Sequence, residues 1–196
     1  LMDCKKALAE ANNDMNAAIE IIRKKGQAVA AKREDREASE GCVLADAAEG
    51  FAAIVALKCE TDFVAKNEGF VALTKKILAA AMAAKVKSID ELKDVEIEGR
   101  KIADLIVEEI GKTGEKMELG AYEYVEGAEA TAYNHFGNKL STIVAFNENL
   151  ADAHVGKEVA MQVAAMNPIA LDEDSMSQEV KDSEYNVAVD KTRQEQ

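Results

Sequence analysis

Gly111-Lys112-Thr113 combines residue types that hold phosphate, with a glycine backbone and a lysine ammonium for the anion and a hydroxyl for magnesium. A phosphate-binding loop also needs a glycine five positions upstream so that backbone amides can curl around the anion, and that position is Ile106. The triplet closes a helical stretch instead of following a strand, so the expected use is a helix end with Gly114 as the left-handed residue. The two histidines, His135 and His154, fall on different elements with no cysteine or carboxylate at metal-ligand spacing. Neither has a serine or cysteine nearby in a nucleophile setting, and His154 is expected at the solvent-facing start of a helix. Cys4, Cys42 and Cys59 are widely spaced without a CxxC pair, which reads as reduced thiols in a cytoplasmic protein. No catalytic constellation, metal site or cofactor is expected, and the chain is read as not being an enzyme.

The segment "KCETDFVAKNEGF", Lys58 to Phe70, raises a different possibility. Phe63 follows an acidic residue just ahead of a helical stretch. On one reading Thr61 or Asp62 caps that helix while Phe63 or Val64 staples the turn to the core. On the other, the turn presents the aromatic to a second protein.

The elements that must position these residues follow from the pattern. A chain that is 48% hydrophobic and 31% charged is expected to fold as a globular protein. A net charge of −13 repels phosphate backbones, so direct nucleic-acid binding is not expected. The longest apolar run, Ile77 to Ala84, is far short of the roughly 20 residues of a membrane span. Leu1/Cys4/Leu8/Ala11 and Met15/Ala18/Ile19/Ile22, separated by "NND", predict a small helical hairpin stopped at Gly26. The basic residues Lys5, Lys6 and Arg23 to Lys25 read as a solvated face, and "AVAAKREDREASEG" as a linker. Period-two stretches on either side of Glu49-Gly50 predict a β-hairpin. A helix follows from about Lys66 to Lys85 with Phe70, Leu73, Ile77, Ala81 and Met82 on one face, then shorter helices over Ser88 to Asp94 and Lys101 to Ile110. "MELGAYEYVEG", "EATAYNHF" and "KLSTIVAFN" read as strands, and "ADAHVGKEVAMQVAAMNP" as a helix ending at Pro168.

The plan of strand, turn and helix recurs. "IVAL" at Ile54 to Leu57 matches "IVAF" at Ile143 to Phe146, and "AAM" ending at Met82 matches "AAM" ending at Met166. Yet 25 residues separate Leu57 from Met82 whereas 20 separate Phe146 from Met166. The surplus belongs in the strand-to-helix corner around "CETDFVAKN", and a lengthened corner carrying an aromatic suits a contact surface.

"LMDCKKALAEANNDMNAAIEIIRKKG" followed by "LKCETDFVAKNEGF" resembles the elongation factor Ts family, as do "AYNHFGNKLSTIVAF" and "VAMQVAAMNP". The resemblance implies a guanine nucleotide exchange factor in the cytoplasm whose partner is the GTPase elongation factor Tu. Thr61, Asp62, Phe63 and Val64 match the turn that enters the GTPase domain near the magnesium and phosphate site. Lys5 lies in the matching N-terminal contact motif, and His135 matches the Tyr-x-His turn that meets another domain of the partner. Burying one phenylalanine contributes roughly 1.5–3 kcal/mol, whereas driving a two-state equilibrium from 1:99 to 99:1 takes about 5.5 kcal/mol. The implied wedge therefore needs a broad interface behind it. The competing reading is a protein-binding adaptor with a ubiquitin-associated-like module that leaves nucleotide untouched.

The expected fold is α+β. A helical, ubiquitin-associated-like module over 1–27 precedes a linker over 28–40, related αβ core subdomains over 41–116 and 117–173, and the outgoing arm of a helical hairpin over 174–196. The resemblance implies further chain before Leu1 and after Gln196, a second subdomain with an open sheet edge, and possible pairing of two copies through the C-terminal arm. Association detectable by light scattering is the expected behaviour of this chain, and a strictly monomeric solution would contradict it.

Overall fold

The computed structural model describes residues 2–194. Contacts divide the chain into a large unit ending at Ala164 and a small one from Ala165 onward.

The large unit begins with α1 (Met2–Glu10) and α2 (Met15–Lys32), a packed helical pair as the sequence predicts. Asn12 and Asn13 make the turn at positive φ, and Asp14 caps α2 by accepting from the Ala17 amide at 2.9 Å. The expected stop at Gly26 is wrong, because α2 runs six residues further into the stretch read as linker. The reason is tertiary. Val29 and Ala30 pack against the core, and Gly26 lies buried where α2 crosses a later helix, α6 (Ile102–Thr113). A Cβ placed on Gly111 of α6 would stand 2.9 Å from the Gly26 Cα, so the two glycines let the helix backbones approach. Burial of this crossing outweighs the modest helix penalty of glycine.

Strands β1 (Glu40–Ala48) and β2 (Phe51–Cys59) form the expected hairpin, with Glu49 and Gly50 both at positive φ as a type I′ turn requires. The one-turn helix α3 (Asp62–Ala65) leads into α4 (Glu68–Ala84), whose Phe70, Ile77 and Ala81 are buried, with Leu73 and Met82 at the margin. Lys85 ends α4 in the left-handed region. Next come α5 (Ile89–Asp94) and a minimal hairpin of β3 (Glu96–Ile97) and β4 (Arg100–Lys101). Sequence patterning passed over that hairpin, although Glu98-Gly99 repeats the Glu-Gly turn of the first one. Helix α6 then ends at Gly114, φ 75°, as expected.

β5 (Met117–Glu126) pairs antiparallel with β2, giving a sheet in the order β1-β2-β5 with a bulge at Gly120. The strand that opens the second predicted subdomain thus joins the sheet of the first. β6 (Glu129–Asn134) and β7 (Ser141–Phe146) form a separate hairpin. It adjoins β1 through side chains, since the Asn134 amide accepts from Ala45 N and donates to Ala45 O at 2.7 and 2.9 Å. Helix α7 (Ala153–Met166) ends with Asn167 at positive φ ahead of Pro168, in keeping with the predicted stop. The core gathers Leu57, Val55 and Phe51 of β2 with Phe70 and Ile77 of α4, Leu92 of α5 and Ile102 of α6. The chain is mixed α+β with antiparallel sheets, the predicted class. In the small unit, α8 (Gln178–Gln194) buries no residue. No described helix is long and apolar enough to cross a membrane.

Gly111→Ala tests the helix crossing. In an open helix the change would stabilise by about 0.8–1 kcal/mol, but here the added carbon meets backbone. A net loss of about 1–3 kcal/mol is expected in denaturant unfolding, and a gain would show the crossing is not tight.

Candidate functional site: a clasped corner bearing Phe63

Strand β2 ends at Cys59 and the chain must turn to start α4, where the apolar face of Phe70 and Ile77 has to reach the core. The expected surplus is shared out, part of it extending β2 to Cys59, and the turn over 60–67 folds as α3. Thr61 is its N-cap and accepts from the Val64 amide at 3.4 Å, while the Thr61 carbonyl accepts from Ala65 N at 3.1 Å. Ala65 is buried and Val64 is half-buried against the core. Phe63 is 84% exposed. The capping reading holds for Thr61, and Val64 packs inward as its staple, while the phenylalanine stands clear of the core. On a single helical turn, consecutive side chains diverge by about 100°, so anchoring Val64 and Ala65 leaves Phe63 pointing elsewhere.

Charges surround the ring's base. Asp62 accepts from Lys66 Nζ at 2.7 Å, one turn along, and that hydrogen bond and charge hold its carboxyl below the ordinary carboxylate range. Lys139, in the β6–β7 turn, acts on Asp62 in the same direction and itself pairs with Glu40 Oε2 at 2.7 Å. The same turn abuts β1, where Val43 N donates to the Asn138 carbonyl at 2.7 Å. His135 and Phe136 belong to this turn. His135 is exposed, its Nδ1 lying 2.8 Å from the Tyr133 hydroxyl, and Phe136 is 98% exposed. Thr61 to Val64 thus share one corner, and the turn carrying His135 meets the neighbouring end of β1. Lys5 stands apart, exposed on α1.

Two carboxylates that sequence reasoning missed secure the corner. Glu115 accepts from Thr61 N at 3.0 Å and from Thr61 Oγ1 at 2.6 Å. Glu60 accepts from Lys116 N at 2.7 Å and faces Arg33 at 3.4 Å and Arg36 at 3.8 Å. No sequence signal joins Thr61 to Glu115, 54 positions apart. The nearest hint was an acid directly after the left-handed Gly114.

The Gly111-Lys112-Thr113 triplet forms the helix end expected of it. Gly111 to Thr113 is the last turn of α6, with Lys112 paired to Glu108 and Glu109. His154 lies exposed at the start of α7, 3.3 Å from Glu158. Among the described residues no three His, Cys, Asp or Glu side chains gather to hold a metal. What the site offers is shape: an aromatic tip on a short helix tied at its base.

Fold and corner define an α+β protein with an exposed aromatic ring on a capped, hydrogen-bonded corner. Residues 60–196 match the family model described as Elongation factor TS. The chain is 56% identical over its whole length to the Elongation factor Ts of Bacteroides thetaiotaomicron and 58% identical to that of Phocaeicola vulgatus. It is 57% identical over 97% of its length to that of Porphyromonas gingivalis. The chain belongs to the elongation factor Ts family. It spans 59% of the length of the first two relatives and 70% of the third.

Cys59 is fully buried beside this corner, and burial together with the nearby Glu115 carboxylate pushes its thiol up to about 11. Cys42 is equally buried, whereas Cys4 is exposed. One thiol should therefore react quickly with a disulfide reagent at neutral pH and two only on unfolding. Rapid reaction of all three would contradict the packing of the corner.

Proposed function

We propose that this chain is the exchange-promoting part of a translation elongation factor Ts, acting in the cytoplasm on elongation factor Tu bound to GDP. The α3 corner enters the GTPase domain near the magnesium and phosphate site, with Phe63 as the wedge and Asp62 as its charged flank. Thr61 caps the wedge and Val64 roots it. The observation that carries this reading is the 84% exposure of Phe63 on a helix whose neighbouring residues are anchored. Leaving a large apolar ring in water is unfavourable in the free protein, and its burial in a partner recovers roughly 1.5–3 kcal/mol.

That gain falls short of the differential binding needed to displace a tightly held nucleotide. The rest comes from a wider interface, in which His135 and Lys5 contribute at two other places on the surface. The exposed Phe136 beside His135 fits the same role. Coupling is reciprocal: whatever factor the protein takes from GDP affinity, GDP takes from the protein's affinity for its partner. Exchange then requires no bond to be made or broken by this chain. A ubiquitin-associated-like adaptor is the second reading, favoured by Met15 and Ile19, exposed at 63% and 55% on α2.

Release of fluorescent GDP from elongation factor Tu separates these readings. The complete protein should accelerate release, and Phe63→Ala should lower that acceleration by about tenfold or more. Binding with no change in release supports the adaptor and overturns the wedge.

A further inference from the structure

The ladder between β2 and β5 ends at the pair Cys59 and Met117. Beyond it the next residues of both strands remain joined, by side chains in place of carbonyls. Glu115 takes the Thr61 N–H at 3.0 Å, and Glu60 takes the Lys116 N–H at 2.7 Å. The two carboxylates form a reciprocal clasp that prolongs the sheet past its last backbone pair. Arg33 and Arg36, just beyond α2, face Glu60 and offset its charge.

Glu115 makes a second bond that matters more. By accepting the Thr61 hydroxyl proton at 2.6 Å it leaves the oxygen's lone pairs for the Val64 amide, and so sets the polarity of the cap on α3. Without it the hydroxyl is free to rotate and the Thr61 N–H loses the carboxylate that accepts it. The helix has four residues and cannot hold itself by internal bonds.

We infer that Glu115 is a positioning residue for Phe63, acting through Thr61 to hold the aromatic in the orientation that enters the partner. This rests on the exchange reading above. Loosening the cap lowers the fraction of molecules with the ring correctly presented, and the rate of nucleotide release falls by that fraction.

The test uses the complete protein carrying Glu115→Ala, Glu115→Gln, Phe63→Ala or the first and third together. Two quantities are measured: acceleration of GDP release from elongation factor Tu, and amide hydrogen exchange of the free protein. In Glu115→Ala the Thr61 and Val64 amides should lose protection while the β-sheet amides keep theirs, and acceleration should fall about tenfold, the loss of a charged hydrogen bond. Glu115→Gln keeps one acceptor and should retain more activity than the alanine variant. The double variant should be no slower than Phe63→Ala alone, because Glu115 acts through the ring. Multiplying effects, or unchanged release in Glu115→Ala while Phe63→Ala is slow, would overturn the positioning role. Unchanged release in Phe63→Ala instead sinks the exchange reading itself, a result distinct from the other two.

Discussion

The two hydrogen bonds that Thr61 donates to the Glu115 carboxylate are the constraint on which the corner depends. Where β2 runs out, the chain must reverse toward α4 and still keep Phe63 in water. Burial of Ala65 and partial burial of Val64 pull the corner inward. Capping by Thr61 shapes what remains into one helical turn, and the ring is left outside because its neighbours are committed elsewhere. An exposed aromatic on a slack loop would collapse onto the nearest apolar surface. Bonds at the base of the turn oppose that collapse.

The rest of the large unit serves to hold the two sides of that tie. β5 lies against β2, which brings Glu115 and Lys116 level with Glu60 and Thr61. Helix α6 delivers Glu115 through a left-handed Gly114, and α6 is itself pressed against α2 at the paired glycines 26 and 111. Extension of α2 beyond Gly26 in turn brings Arg33 to Glu60. The helical pair, the central sheet and the corner are therefore mechanically continuous. Such continuity would serve the wedge proposed above, since a compliant support would absorb the strain a wedge has to impose.

The legibility of this arrangement from sequence follows the range of the interactions. Local chemistry was readable: the positive-φ turn at Glu49-Gly50, the cap at Gly114, the stop before Pro168 and the amphipathic face of α4. The surplus between repeated motifs pointed at the corner only in part, because β2 runs on to Cys59 and α4 is longer than its counterpart, so the turn itself, 60–67 against 147–152, takes up only some of the extra length. Gly26 misled, as its meaning lay in a helix 85 residues away and not in its own propensity. The Glu115 to Thr61 bonds were invisible for the same reason, as were the side-chain bonds by which Asn134 joins the second hairpin to β1. Exposure of Phe63 depended on which of two adjacent apolar residues faced inward, which pattern alone left open.

If Phe63 is the wedge proposed above, its ring is free in the isolated protein and enclosed in the partner. The chain has no tryptophan, so Phe63→Trp supplies a single reporter at that site. Quenching of its fluorescence by iodide should be nearly that of free tryptophan in the isolated chain, should fall sharply on addition of nucleotide-free elongation factor Tu, and should return with excess GDP. A reporter already shielded in the isolated chain, or still fully quenched within the complex, would contradict the account.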